Sequence, residues 1–197
     1  MKKHYLCGMN QKRLAIFASG NGSNALNIIE YFEHNSKVEI AFVLSNSAHA
    51  KVLHLAQKKG VLAITCSNDE VANENFLVDL CKKQSVDFII LAGFLRKIPA
   101  HFIQNYPERI INIHPSLLPK YGGKGMYGNF VHQAVIENKE NETGITIHFV
   151  NEEFDKGKII AQFSTKVSES DSVFEVQQNV QQLEHTYFAQ TIEKTIL

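Results

Sequence analysis

Leu14-Ala15-Ile16-Phe17-Ala18-Ser19-Gly20-Asn21-Gly22-Ser23-Asn24 begins as a short apolar run and ends as a glycine-rich loop. Ala25, Leu26, Ile28, Ile29 and Phe32 then recur near helical spacing. A short apolar strand feeding a helix through a glycine turn is the opening of a βα unit. The pattern repeats along the first half of the chain. Residues 38–44 read as a second strand, and residues 48–59 as a helix closed by Gly60. Residues 61–65 form a weak third strand and residues 68–84 a helix. Phe88-Ile89-Ile90-Leu91-Ala92 is a wholly apolar strand, and residues 110–113 are the next. Apolar strands alternating with amphipathic helices predict an α/β fold, with a mostly parallel, Rossmann-like sheet, helices on both faces and right-handed crossovers.

The second half changes character. Residues 121–129 are rich in glycine and read as a loop, followed by a short helix over residues 130–138. Residues 143–150 alternate, and residues 159–167 form a second extended run. Asp155-Lys156-Gly157 lies in the turn between them. This predicts an antiparallel C-terminal addition to the sheet. Asp171-Ser172-Val173-Phe174-Glu175 opens a long helix that runs to about residue 195. No repeat, low-complexity tract or linker interrupts the chain, so residues 12–197 read as a single domain. Residues 1–11 read as a disordered N-terminal extension.

Composition narrows the classes. The chain has 197 residues, 44% of them hydrophobic, and a formal net charge of zero. That balance offers no basic surplus for nucleic acid or an anionic membrane. Cys7, Cys66 and Cys81 are odd in number and lack metal-ligand spacing, so neither a disulfide framework nor a zinc site is expected. The N-terminus is basic but carries no apolar core of a signal peptide. No run is long enough to span a bilayer. A cytoplasmic protein with small-molecule partners, as a monomer or homodimer, is expected.

Asn112-Ile113-His114-Pro115-Ser116-Leu117-Leu118-Pro119 carries the chemistry. Asn112 and His114 sit two apart, so a strand points both side chains to one face. Pro115 holds His114 extended and ends the strand. An amide donor and an imidazolium together suit the oxyanion of acyl transfer to an amine, and the imidazole can also move a proton. A neighbouring carboxylate would orient the ring. Asp155 is one source, although Asp-Lys-Gly is equally good turn chemistry. The loop ending at Asn24 suits a phosphate at a helix N-terminus. It suits equally a tight turn with Ser23 or Asn24 as N-cap. It lacks the third glycine of a dinucleotide fingerprint and the lysine of a P-loop. His148 reads either as a support behind the Asn112 and His114 pair or, by default, as a satisfied core histidine, and Glu184-His185 as a solvent-facing pair.

On these motifs the chain resembles the phosphoribosylglycinamide formyltransferase family, folate-dependent enzymes of the purine pathway. The matching pieces are Ser19-Gly-Asn-Gly-Ser-Asn24, Leu91-Ala-Gly-Phe-Leu-Arg96, Ile111-Asn-Ile-His-Pro-Ser-Leu-Leu-Pro-Lys120, Gly144-Ile-Thr-Ile-His-Phe-Val150 and Asp155-Lys-Gly-Lys-Ile-Ile-Ala-Gln162. They run in family order, from about Arg13 to the C-terminus. The resemblance implies the formyltransferase fold. It also implies transfer of a formyl group from 10-formyltetrahydrofolate, as co-substrate, to the amine of phosphoribosylglycinamide, with no metal. Asn112, His114 and Asp155 would be catalytic. Asn112 and His114 would hold the oxyanion, and Asp155 would act on His114 and relay a proton through water. Gly22, Ser23 and Asn24 would hold the substrate phosphate, and Gln181 and Glu184 the ribonucleotide. Leu95, Arg96, Lys97 and Ile98, with Asn151, Glu152, Glu153, Phe154 and Asp155, would wall the pterin pocket beside Asn112. Met9 sits where family members often begin.

Two departures stand out. The Tyr121–Asn129 stretch is longer and richer in glycine than in many relatives, and is expected to shape the substrate side. The arginine that binds the folate tail in some relatives has no clear counterpart; the region near Glu70 is acidic. Formyltetrahydrofolate deformylase and methionyl-tRNA formyltransferase share the Asn/His/Asp core. The first is expected to carry a further domain in front and the second one behind, with a basic surface. A non-catalytic nucleotide-binding module would use the Gly22 loop and need no Asn112, His114 and Asp155.

Overall fold

β1 (Lys12–Phe17) sends Leu14 and Ile16 to one face of the sheet and Ala15 and Phe17 to the other. All four side chains are buried completely. A strand covered on both faces is what the apolar run predicts. This computed structural model describes residues 11–197. The expected N-terminal extension, Gln11 apart, and Met9 within it lie outside the described residues.

From β1 the chain builds α1 (Ser23–Phe32), β2 (Val38–Ser45), α2 (Lys51–Lys58) and β3 (Ala63–Thr65) to one side. It then returns through α3 (Asn68–Ala72) and α4 (Phe76–Lys83) to place β4 (Phe88–Leu91) on the other flank of β1. α5 (Ala100–Asn105) leads to β5 (Ile110–His114), which pairs parallel to β4. After α6 (Asn129–Glu137), β6 (Glu142–Phe149) and β7 (Ile159–Lys166) join antiparallel, and α7 (Val173–Ile196) packs back against them. The seven-stranded order is β3-β2-β1-β4-β5-β6-β7. The order reverses between β1 and β4, so the loops leaving these two parallel strands open a crevice at their carboxyl ends. Ser19 N–H bonds the Gly93 carbonyl at 3.0 Å and ties the two loops together.

The helices segregate to two cores. α1, α2, α6 and α7 cover Leu14, Ile16, Ile90, Ile111 and Ile113. α3, α4 and α5 cover Ala15, Phe17, Phe42, Ile89 and Ile110. Asn112 and His114, alternating with Ile111 and Ile113, therefore look toward the second of these faces.

The expected helix over residues 68–84 is two helices. Asn73 turns extended between them, with φ −68° and ψ 128°. Its side-chain carbonyl accepts the N–H groups of Asn75 at 3.0 Å and Phe76 at 3.2 Å, which starts α4. Asparagine competes with the helix for backbone donors, and here it wins. α5, which follows Pro99 as N-cap, has no counterpart in the sequence reading. α7 starts as expected, through a capping box of Ser172 and Glu175. Glu70 forms the second capping box, with Ser67, and so caps α3.

Phe17 holds the second core together. Its ring centroid lies 6.3 Å from that of Phe42, 5.5 Å from Phe94 and 6.1 Å from Phe102. Phe17→Ala is expected to lower the unfolding free energy by ~3–5 kcal/mol, read as a lower urea midpoint at unchanged slope.

Candidate active site

At the carboxyl end of β1, Gly22 is the N-cap of α1 and adopts a left-handed backbone with φ 78°. Glycine is needed there twice over. The conformation disfavours a side chain, and a Cβ would lie 2.5 Å from Val52. No side chain caps the helix. The expectation that Ser23 or Asn24 serves as N-cap is therefore corrected: both lie inside the first turn, and their side chains reach α7. Asn24 Nδ2 donates to Glu184 Oε2 at 2.8 Å, and Gln181 Nε2 donates to Ser23 Oγ at 3.3 Å. The first-turn amides are left for an anion. Asn24 Oδ1 is buried without a partner among the described residues.

At the end of β5, Asn112 stands opposite His148 of β6 and His114 opposite Thr146. Asn112 Nδ2 donates to His148 Nε2 at 3.1 Å, while His148 Nδ1–H donates to the Phe149 carbonyl at 2.9 Å. These two bonds require the neutral Nδ1–H form of His148. Burial pushes its pKa down, against the opposing pull of the Phe149 carbonyl and Asp155. The reading of His148 as a satisfied core histidine holds, yet it is more than core: it fixes the orientation of the Asn112 amide.

His114 is buried, and its ring is hydrogen-bonded at one edge and faces a carboxylate at the other. Nε2–H donates to the Tyr121 carbonyl at 2.8 Å. Nδ1 lies 3.6 Å from Asp155 Oδ2. That gap is too long for a good direct hydrogen bond and leaves the Nδ1 edge accessible to a water or a substrate oxygen. Asp155 Oδ1 is also 3.7 Å from His148 Nε2, and Oδ2 accepts the Gly123 N–H at 2.8 Å. Asp155 itself has φ 55°, a left-handed backbone that aspartate tolerates better than most residues.

One cleft of about 550 Å³ contains all of this. Gly22, Ser23 and Asn24, residues 95–98, Asn112 and His114, residues 151–155, and Gln181 and Glu184 all line it. The volume falls in the range of small-molecule sites. Leu95, Arg96 and Lys97 are exposed while Ile98 is buried; residues 151–154 are exposed. Lys97 Nζ lies 5.6 Å from the centre of the Phe154 ring, joining the two walls. Glu184 is not the solvent-facing residue expected. It is half-buried, and burial pushes its pKa up, opposed by the Asn24 bond. His185 is half-buried too.

Two participants escaped the sequence reading. His132 of α6 lines the cleft, buried, with Nδ1 unpartnered; burial, then the neighbouring His114, pushes its pKa down. The Tyr121 carbonyl is the other, and a backbone acceptor has no sequence signal. For His132 the available signal was a lone histidine on an otherwise apolar helix face.

Residues 12–192 match the family model described as formyl transferase. The chain is 37% identical over 188 residues to the chloroplastic phosphoribosylglycinamide formyltransferase of Arabidopsis thaliana, covering 92% of this chain and 64% of that protein. It thus spans less than two thirds of that plant relative. It is 32% identical over 190 residues to the phosphoribosylglycinamide formyltransferase of Bacillus subtilis, covering 94% of this chain and 95% of that one. Its fold superposes on the crystal structure of glycinamide ribonucleotide transformylase 1 from Geobacillus kaustophilus with a TM-score of 0.87. That alignment has 29% identity and covers 95% of this chain and 100% of that one.

The raised Glu184 pKa has a signed consequence. The folded state holds this proton more tightly than the unfolded state, so stability falls as pH rises from the unfolded carboxyl pKa through the folded one. Glu184→Gln is expected to be more stable than the parent at neutral pH. The gain should vanish below the ordinary glutamate pKa of about 4.3. Urea unfolding of both proteins at the two pH values measures it.

Proposed function

Because the chain belongs to the phosphoribosylglycinamide formyltransferase family of formyl transferases, we propose that it catalyses formyl transfer from 10-formyltetrahydrofolate to the amine of 5'-phosphoribosylglycinamide, a step of de novo purine (IMP) biosynthesis. The observation that carries this reading is the shared cleft. An uncapped helix N-terminus at Gly22 stands at one part of it, and the Asn112, His114 and Asp155 side chains at another.

The ribonucleotide phosphate takes the first-turn amides of α1, with Ser23 and Asn24 beside it, and Gln181 and Glu184 face the ribose. The donor's pterin end lies between residues 95–98 and residues 151–155. The acceptor amine attacks the formyl carbon. A C–N bond forms and the carbonyl oxygen takes the electron pair. Asn112, its amide aimed by His148, and His114 in its imidazolium form, which carries a proton on Nδ1 as well as the one bonded to Tyr121, donate to that oxygen. Collapse of the intermediate breaks the bond to N10 of the folate. The proton lost by the attacking amine travels through a water held by Asp155 and His114 to the departing nitrogen. The reaction as proposed calls on no metal.

Residues 12–197 would form the single catalytic domain. We place the protein in the cytoplasm. The support is chemical: Cys66 and Cys81 are free thiols, as suits a reducing compartment. Among the described residues, no helix is long and apolar enough to cross a membrane.

An absorbance assay of formyl transfer from 10-formyltetrahydrofolate to the ribonucleotide tests the assignment. His114→Ala and Asn112→Ala should each lower kcat about a hundredfold to a thousandfold, the usual scale for losing an oxyanion donor. Ribonucleotide binding, read by calorimetry, should largely survive. Folded parent protein with no turnover would reject the assignment.

A further inference from the structure

The segment between β5 and α6 threads its backbone through the catalytic groups. The Tyr121 carbonyl takes the Nε2–H of His114, and two residues on the Gly123 N–H bonds Asp155. Gly122 between them has no room for a side chain: a Cβ would lie 2.5 Å from Leu118 and 3.3 Å from Asp155. Tyr121 holds φ 55°, a left-handed backbone costly for a bulky aromatic residue. Something must pin it. The ring packs against the first core, and the phenol O–H donates to Glu140 Oε1 at 2.9 Å. Glu140 also takes Lys120 Nζ at 2.9 Å and 3.0 Å, so one carboxylate grips two consecutive residues. Burial and Glu140 push the Tyr121 phenol up, so it stays the donor. The Lys120 and Tyr121 hydrogen bonds pull Glu140 down, so it stays the acceptor.

We propose that Glu140 and Tyr121 are positioning residues for catalysis: the Glu140–Tyr121 latch holds the Tyr121 carbonyl against His114 and so keeps the proton on Nε2, leaving Nδ1 as the working nitrogen. The consequence is tautomeric. A neutral imidazole carries one proton, and a carbonyl at Nε2 fixes it there. Without the latch the left-handed turn at Tyr121 relaxes, the carbonyl withdraws, and neutral His114 divides between two tautomers. Glu140 does not line the cleft, so its effect reaches the site through the Lys120–Tyr121 segment, and Tyr121→Phe isolates the Tyr121 part of it.

The inference rests on the formyl-transfer reading, and two readouts separate them. For Tyr121→Phe and Glu140→Leu, kcat should fall about tenfold to a hundredfold, the worth of one charge-assisted hydrogen bond, with little change in either KM. Glu140→Gln keeps an acceptor for the phenol and should recover most of the loss. In ¹⁵N-histidine-labelled protein, the parent should show neutral His114 in the Nε2–H form, and Tyr121→Phe a mixture of tautomers. Unchanged His114 signals overturn the proposal, whether or not kcat falls, and so does an unchanged kcat in a protein that turns over. If the parent shows no formyl transfer, the function falls while the nitrogen signals alone still decide the latch.

Discussion

The β5–β6 register is the constraint on which the site depends. It sets Asn112 opposite His148 and His114 opposite Thr146. A slip of one residue would turn the Asn112 and His114 side chains into the first core and bring Ile111 and Ile113 into the cleft. Thr146 locks the register chemically. Its buried hydroxyl donates to the Ser116 carbonyl at 2.7 Å and accepts Leu118 N–H at 2.9 Å and Gln162 Nε2 at 2.8 Å. The Ser116 carbonyl and the Leu118 N–H, both on buried residues, would lose this partner if the strand moved. The same knot ties residues 116–118 to the sheet, and that turn delivers Tyr121 to His114. Strand pairing, loop placement and imidazole orientation are therefore one event.

Two imidazoles share Asp155 and receive opposite roles from their surroundings. His148 gives both nitrogens to fixed partners, one accepting from Asn112 and one donating to a carbonyl, so taking up a further proton would break the first bond. Burial works in the same direction. His114 has a carbonyl on one side and a carboxylate at a distance that admits a third party on the other. One ring is a fixed strut for an amide, and the other has an edge to use. The carboxylate lies close to both, and Gly123 N–H turns its Oδ2 toward the glycine-rich segment.

The sheet and its helical cover were legible because burial on both faces writes long apolar runs, such as Ile89-Ile90-Leu91, into the sequence. The Asn112 and His114 pair was legible because a strand repeats every two residues. Asp155 could be named only through family likeness, since no local rule brings a turn residue back to β5. The misreadings share a cause. The break at Asn73, the glycine cap at Gly22 and the burial of Glu184 are each decided by one polar side chain finding a distant or competing partner. Periodicity counts apolar positions and carries no information on where a polar group finds its bond. Backbone participants, the Tyr121 carbonyl and the Gly123 N–H, lie outside such reading altogether.

The glycine-rich stretch after β5 can now be understood residue by residue. Gly122 is small because Asp155 and Leu118 press on it, and Gly123 has φ 97° as its N–H turns to the carboxylate. Gly125 and Gly128 also have positive φ, and space is open around them. The first pair answers to Asp155, the second to the path of a loop. Two of the five described non-glycine residues with positive φ, Tyr121 and Asp155, hold φ 55° on the two sides of His114. Such conformations persist only where neighbouring bonds over-determine them. Here those bonds are Glu140 to the Tyr121 hydroxyl and Gly123 to the Asp155 carboxylate. A side chain at Gly122 would push this backbone away from Asp155, so the carbonyl at His114 Nε2 and the N–H at Asp155 Oδ2 could not both be supplied by the one segment. The glycines are thus the condition for letting main-chain groups orient His114 and Asp155.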